Sequence, residues 1–194
     1  FDELDEGFGV GRGASFSSED LFISYSAVIG WVSPDLANTS DNLYATVSLI
    51  GNSSSSALKG ANWGKTIPSG VEILGIEITI ERKSDITGIR DIRVQLVKAG
   101  VAVGDNKADT ATDWPLADAT VTYGSPTDLW GTTWTPADIN DPGVAVELEV
   151  RNPSGVTKIA FVDALRMKVY YSGPDDAISY WILDADATGR IVTN

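Results

Sequence analysis

The chain has 194 residues, with 27 acidic and 14 basic side chains, a net charge of −13, and neither cysteine nor histidine. The missing cysteine excludes a disulfide framework and thiolate metal sites, and the missing histidine removes the commonest general base and every Ser-His or Cys-His mechanism. An acidic surface repels phosphate backbones, and no apolar run approaches the ~20 residues of a membrane-spanning helix, so neither nucleic acid nor membrane is expected as a partner.

The length suits one domain with extensions. Charge is concentrated at the ends, with a net of −5 over residues 1–27 and −3 over residues 173–194. Residues 1–27 place glycines at 7, 9, 11 and 13 between the aromatics Phe1, Phe8, Phe16 and Phe22. Alternate glycines are costly to order and supply nothing to pack, so this stretch reads as a Gly-rich acidic arm. Two readings stay open for it: a solvated tail, or an arm whose rings fill pockets on a neighbouring subunit.

Residues 28–172 read as the folded domain. Val28–Val32 is expected as an entry or edge strand. In residues 41–50, Leu43, Ala45, Val47 and Leu49 alternate with Tyr44, Thr46 and Ser48. The following GNSSSS reads as a polar loop. A weaker strand is expected over Leu58–Trp63. Residues 71–83 give the clearest strand, with Ile76, Ile78 and Ile80 inward against Glu77, Thr79 and Glu81. In residues 89–98 the expected inward row is Ile92, Val94 and Leu96. Ala99-Gly100 suits a tight hairpin into Val101–Gly104. After an irregular stretch come a strand at Ala119–Tyr123 and one helical turn, with Thr135 as N-cap, Pro136 at the first helical position and Asp138 in the first turn. Residues 144–152 alternate again, and so does the last core strand, where Leu165, Met167, Val169 and Tyr171 oppose Arg166, Lys168 and Tyr170.

Short alternating strands with almost no helix indicate an all-β fold, a single β-sandwich that is jelly-roll-like, with an immunoglobulin-like sandwich as the second topology. Beyond it, residues 173–194 form a C-terminal tail with an apolar patch that includes Tyr180, Trp181 and Ile182. It either folds back as an extra strand or docks on another chain.

The order DNLYATVSL, WGKTIPSGVEILGIEITIERK, IRDIRVQLVKAG, VGDNKADTATDWP, YGSPTDLWGTTWTPADINDPGVAVELEVRN and VDALRMKVYYS, spanning about 41–172, resembles a β-sandwich module of tailed-bacteriophage virion proteins. The resemblance does not extend to the ends. It implies a structural role in the virion, as a capsid decoration or cement subunit or a tail or fibre component, or attachment to a surface glycan. Other virion proteins and further copies of the chain are then the expected partners.

No residue set suggests covalent chemistry, so no catalytic residue and no cofactor are expected. Asp105, Asp109, Asp113, Asp118 and Asp128 lie in loops and read as solvated turn carboxylates; calcium is the one cation their oxygens would suit, although no EF-hand spacing is present. Trp114, Tyr123, Trp130 and Trp134 are the candidates for a glycan or protein surface, with Asp128 or Asn140 supplying hydrogen bonds. The preferred reading of Trp130 and Trp134 is a small core beneath a long connection. Asp163 is expected to satisfy a turn amide.

Overall fold

The computed structural model describes residues 15–19, 28–64, 66–172 and 178–183, with backbone alone for 15–19, 28–29 and 178–183. In chain order the strands are β1 (Ser15–Glu19), β2 (Val28–Ile29), β3 (Ala45–Leu49), β4 (Ser53–Ser55), β5 (Ala57–Ala61), β6 (Ile73–Ser84), β7 (Arg90–Lys98), β8 (Val101–Val103), β9 (Ala119–Ser125), β10 (Ala145–Asn152), β11 (Lys158–Ser172) and β12 (Ile178–Leu183). One five-residue helix, α1 (Pro136–Asn140), follows β9.

The strands form two sheets packed as a β-sandwich. In the first, β10 is central: it pairs with β7 on one side and with β5 and then β4 on the other. In the second, β11 holds that place, flanked by β6 on one side and by β3 and β12 on the other. All pairs are antiparallel except the short one between β2 and β4. From β5 to β11 the chain changes sheet at every connection but the β7–β8 hairpin, a jelly-roll-like winding that buries the inner row of each strand between the layers.

The inner rows follow the alternation expected of half-buried strands. Ile76, Ile78 and Ile80 of β6 and Met167 and Val169 of β11 are fully buried, and so are Val146, Leu148 and Val150 of β10. The hairpin into β8 turns through Ala99 and Gly100, both with positive φ. In α1, Thr135 and Asp138 form a reciprocal capping box, as the spacing of those residues predicts.

Three expectations need correction. The GNSSSS stretch contains β4, because the small serines fit between strands: Ser53, Ser55 and Ser56 are buried, and the Ser55 hydroxyl accepts the Val150 amide at 3.0 Å. Leu43 lies before β3 and is 54% exposed, outside the inner row. In β7 the inner row is broken by a register shift against Glu149 and Val150 that leaves Ile92 unpaired. The bulge turns Asp91 inward, where it is fully buried, while Ile92 is only half-buried.

Candidate functional site

The aromatics singled out in the sequence are built into the interior. Trp114, Tyr123, Trp130 and Trp134 are buried, with Trp130 at 0% exposure, and all four belong to the main core rather than to a separate one. None of the four presents a ring face to solvent.

Local chemistry explains their placement. Trp130 sits at φ 59°, followed by Gly131 at φ 68°, so the chain makes a left-handed turn that drives the indole inward. Asp128 holds the turn by accepting the Trp130 amide at 2.7 Å, and the indole Nε1 donates to the Ile76 carbonyl at 2.9 Å. Trp134 Nε1 donates to the Leu129 carbonyl at 3.1 Å. Asp128 also pairs with Lys107 at 2.7 Å. Burial raises the Asp128 carboxyl, but Lys107 and the Trp130 amide outweigh it and hold the group below its ordinary value. Asp128 therefore supports Trp130 rather than a ligand.

Trp114 and Tyr123 belong to a buried polar cluster between the sheets. Asp91 Oδ1 accepts from Arg82 at 2.5 Å and from Trp114 Nε1 at 2.7 Å, while Oδ2 accepts from Tyr123 at 2.5 Å and from the Asp109 amide at 3.3 Å. Arg82 also donates to the Tyr123 hydroxyl at 2.7 Å and lies 4.6 Å from the centre of the Trp114 ring. Burial, then the Asp91 charge, pushes the Tyr123 phenol far above its ordinary value. The cluster is closed to solvent and its acceptors are filled, so its chemistry is that of a cross-link between layers. Arg82 escapes a sequence reading because it lies between Glu81 and Lys83 at the charged end of β6, and Asp91 because it follows Arg90; the one signal is an aspartate between Ile89 and Ile92.

The loop carboxylates are likewise engaged by this chain. Asp105 pairs with Lys107, Asp113 with Arg90 at 2.6 Å, and Asp118 with Lys83 at 2.9 Å. Asp109 accepts the amides of Ala111 and Thr112, and the Thr112 hydroxyl and these amides lower its carboxyl. Among the described residues no group of three or more acidic side chains is placed to hold a metal ion; the position between Asp105 and Asp128 is taken by the Lys107 ammonium. Asp163 receives the amides of Asp41 and Asn42 at 3.1–3.2 Å, the turn-satisfying role its position suggests.

Of the residues assigned to the arms, Phe1, Phe8 and Phe22 lie outside the described residues. Phe16 falls in β1, whose backbone pairs with β5 from Ser15 opposite Ala61 to Glu19 opposite Ala57. Tyr180, Trp181 and Ile182 fall in β12, where the register sets Tyr180 opposite Tyr170 and Ile182 opposite Lys168.

A surface recess of about 170 Å³ opens at the end of the sandwich where β5 and α1 finish. Its walls are Asn62, Trp63, Gly64 and Thr66 on one side and residues 139–142 with Val144 on the other; Trp63, Ile139 and Val144 are nearly buried beneath it, and Asn62 and Thr66 are exposed at its rim. Asn140 fixes the two walls together: its Oδ1 accepts the Ile67 amide at 2.7 Å and its Nδ2 donates to the Ile67 carbonyl at 2.8 Å. Trp63 Nε1 donates to the Val144 carbonyl at 3.2 Å, a second tie across the recess. Sequence spacing gives no hint of it, because the two walls are some seventy-five residues apart and meet only through the fold.

No family model matches the chain, and no curated protein matches it. Among solved structures it is similar to a carbohydrate-binding module described as "CBM4 structure and function", at 11% identity over 80% of this chain and 94% of that one, with a TM-score of 0.43. It is also similar to the enzymatically active domain of tailspike protein 4 of bacteriophage CBA120, at 14% identity over 88% of this chain and 21% of that one, with a TM-score of 0.34. The chain thus spans about a fifth of the tailspike structure. At these identities the likeness concerns the β-rich fold alone.

Proposed function

We propose that the chain is a non-enzymatic structural protein of a phage virion, a capsid decoration or cement subunit that docks on neighbouring subunits through its terminal segments. The observation that carries this reading is the position of the two terminal strands. β1 and β12 fold back on this chain's own sheets, β1 on β5 and β12 on β11, and stand at the ends of the strand order, so each leaves an outer strand edge to which a neighbouring subunit can add. Strand addition draws affinity from main-chain hydrogen bonds and is a general mode of joining one chain to another.

The test is the composition of purified particles. The protein should be present at a fixed copy number on the capsid, and a chain lacking residues 1–14 should fold yet fail to join particles. Its absence from particles, or normal incorporation of the shortened chain, would overturn the reading.

A second reading is a carbohydrate-binding attachment module of a phage tail fibre or cell-surface protein. The recess lined by Asn62, Thr66 and residues 139–144 favours it, since the exposed Asn62 and Thr66 side chains stand at its rim. A glycan array probed with the full chain distinguishes the two.

A further inference from the structure

We propose that β9 is a docking edge for a second copy of this chain, which joins it by antiparallel pairing about Thr122 to make one sheet continuous across two subunits. The edge stands at the opposite end of the second sheet from β12. It is not used by the terminal strands, so it stands apart from the docking role given to them above.

The free backbone groups follow from the ladder. At one end of β6, Ile76 donates its amide to the Asp128 carbonyl at 2.9 Å, and its own carbonyl accepts the Trp130 indole. At the other end, Ser84 donates its amide to the Pro115 carbonyl at 2.8 Å. Both residues therefore face the β9 side rather than β11. By the alternation of an antiparallel ladder Ile78, Ile80 and Arg82 do so too, and the register sets them opposite Tyr123, Val121 and Ala119. Those three residues bond inward to β6, so Thr120 and Thr122 between them turn amide and carbonyl outward. No described residue pairs with these outward groups.

An edge of this kind is normally guarded. Natural sheets place lysine, proline or a covering segment on a bare edge to stop it pairing with other chains. β8 is only three residues long, and β3 is closed by Val32, whose backbone exchanges both bonds with Thr46. β9 instead runs seven residues without a charge or a proline, and Ala119, Thr120 and Thr122 are exposed. The acids that flank it are already neutralised, Asp118 by Lys83 at 2.9 Å and Asp128 by Lys107 at 2.7 Å.

Charge and symmetry select the occupant. Two chains of net charge −13 repel, so they approach best where charge is balanced, and this edge carries none that is uncompensated. Antiparallel pairing of a strand with its own copy is two-fold symmetric, so one surface serves both sides and the contact closes at two chains. The midpoint of Ala119–Ser125 is Thr122, one of the outward-turned residues. Centred there, Thr122 meets its counterpart on the outer face and Val121 meets Tyr123 on the inner face, a threonine pair and a β-branched residue against an aromatic, both favourable across strands. Thr120 falls opposite Gly124 and Ala119 opposite Ser125, so no like charges are opposed. A seven-residue edge is smaller than a standard interface, so the association is a weak one.

Sedimentation velocity of the full chain across the micromolar concentration range tests this. The parent should pass from monomer to dimer as concentration rises, and hydrogen exchange at the amides of residues 120 and 122 should slow in step. Thr122→Lys sets two ammonium groups face to face at the centre, and Thr122→Pro removes the central donor without touching a bond to β6. Each should weaken dimerisation at least tenfold, while Val101→Lys on the exposed β8 strand should leave it unchanged. A parent that stays monomeric throughout overturns the proposal, and so does a dimer that Thr122→Lys retains or that Val101→Lys disrupts. Slow exchange at residues 120 and 122 in a monomer would put another segment of this chain on the edge and overturn it as well.

Discussion

Arg82 on β6 and Asp91 on β7 meet at 2.5 Å between the two sheets, in the interior of the molecule. The pair is nearly free of solvent, with side-chain exposures of 6% and 0%. Removing one member leaves a buried charge without its partner. Arg82→Met should therefore cost about 3–5 kcal/mol in urea unfolding, and the double variant Arg82→Met/Asp91→Leu should recover most of that loss. A single variant as stable as the parent would show that the pair does not hold the layers together.

The same cluster gives a pH dependence. Burial and the Asp91 charge raise the Tyr123 phenol above its ordinary value of 10.0. Below about pH 10 the folded and unfolded chains both keep this proton. As pH rises past 10 the unfolded chain loses it first, so stability falls by up to ~1.4 kcal/mol per pH unit until the folded phenol titrates. Tyr123→Phe should remove this component, so that parent and variant converge in denaturation experiments between pH 9 and 11. Parallel curves would contradict the assignment.

Gly104 lies against the Trp130 turn. A Cβ there would sit 1.9 Å from the Trp130 carbonyl oxygen, and its φ of +65° is unfavourable for any other residue. Gly100 has a similar φ of +78° but open space around it. Gly104→Ala should destabilise by well over ~1 kcal/mol, and Gly100→Ala by less, since only backbone strain operates at the second site. Comparing their thermal midpoints separates collision from strain.

Asp163 gathers the amides of Asp41 and Asn42, with burial as the main force raising its carboxyl. Asp163→Ala should cost ~1–3 kcal/mol for each amide left unsatisfied. The loss should be accompanied by faster hydrogen exchange at residues 41 and 42 than in the parent.

How much of this was legible depended on whether a side chain's role was set by its own strand. Ile76, Ile78 and Ile80 were legible because three alternating isoleucines leave one face for the core. So was α1, whose ends are written in Thr135, Pro136 and Asp138. Ile92 was not, because the shift that exchanges it with Asp91 arises from pairing with β10, more than fifty residues away. β4 was hidden for another reason: serines carry no apolar period, yet are small enough to be buried once their hydroxyls have partners. Trp130 and Trp134 could be read as packing beneath a connection, but the left-handed turn at Trp130 could not, since it depends on contacts with β6. Asn62, Thr66 and Asp141 gave no signal at all, being ordinary loop residues until the fold brings their segments together.

The two central strands, β10 and β11, both come from the last third of the chain. During synthesis from the N-terminus, β6 can meet β9 and β7 can meet β8 early, but each layer lacks its middle member until residues 145–172 have left the ribosome. Until those residues emerge, the strands already made keep edges that β10 and β11 will later cover. Ribosome-stalled chains ending before residue 145 should be protease-sensitive and prone to chaperone binding, with protection arriving late and nearly all at once.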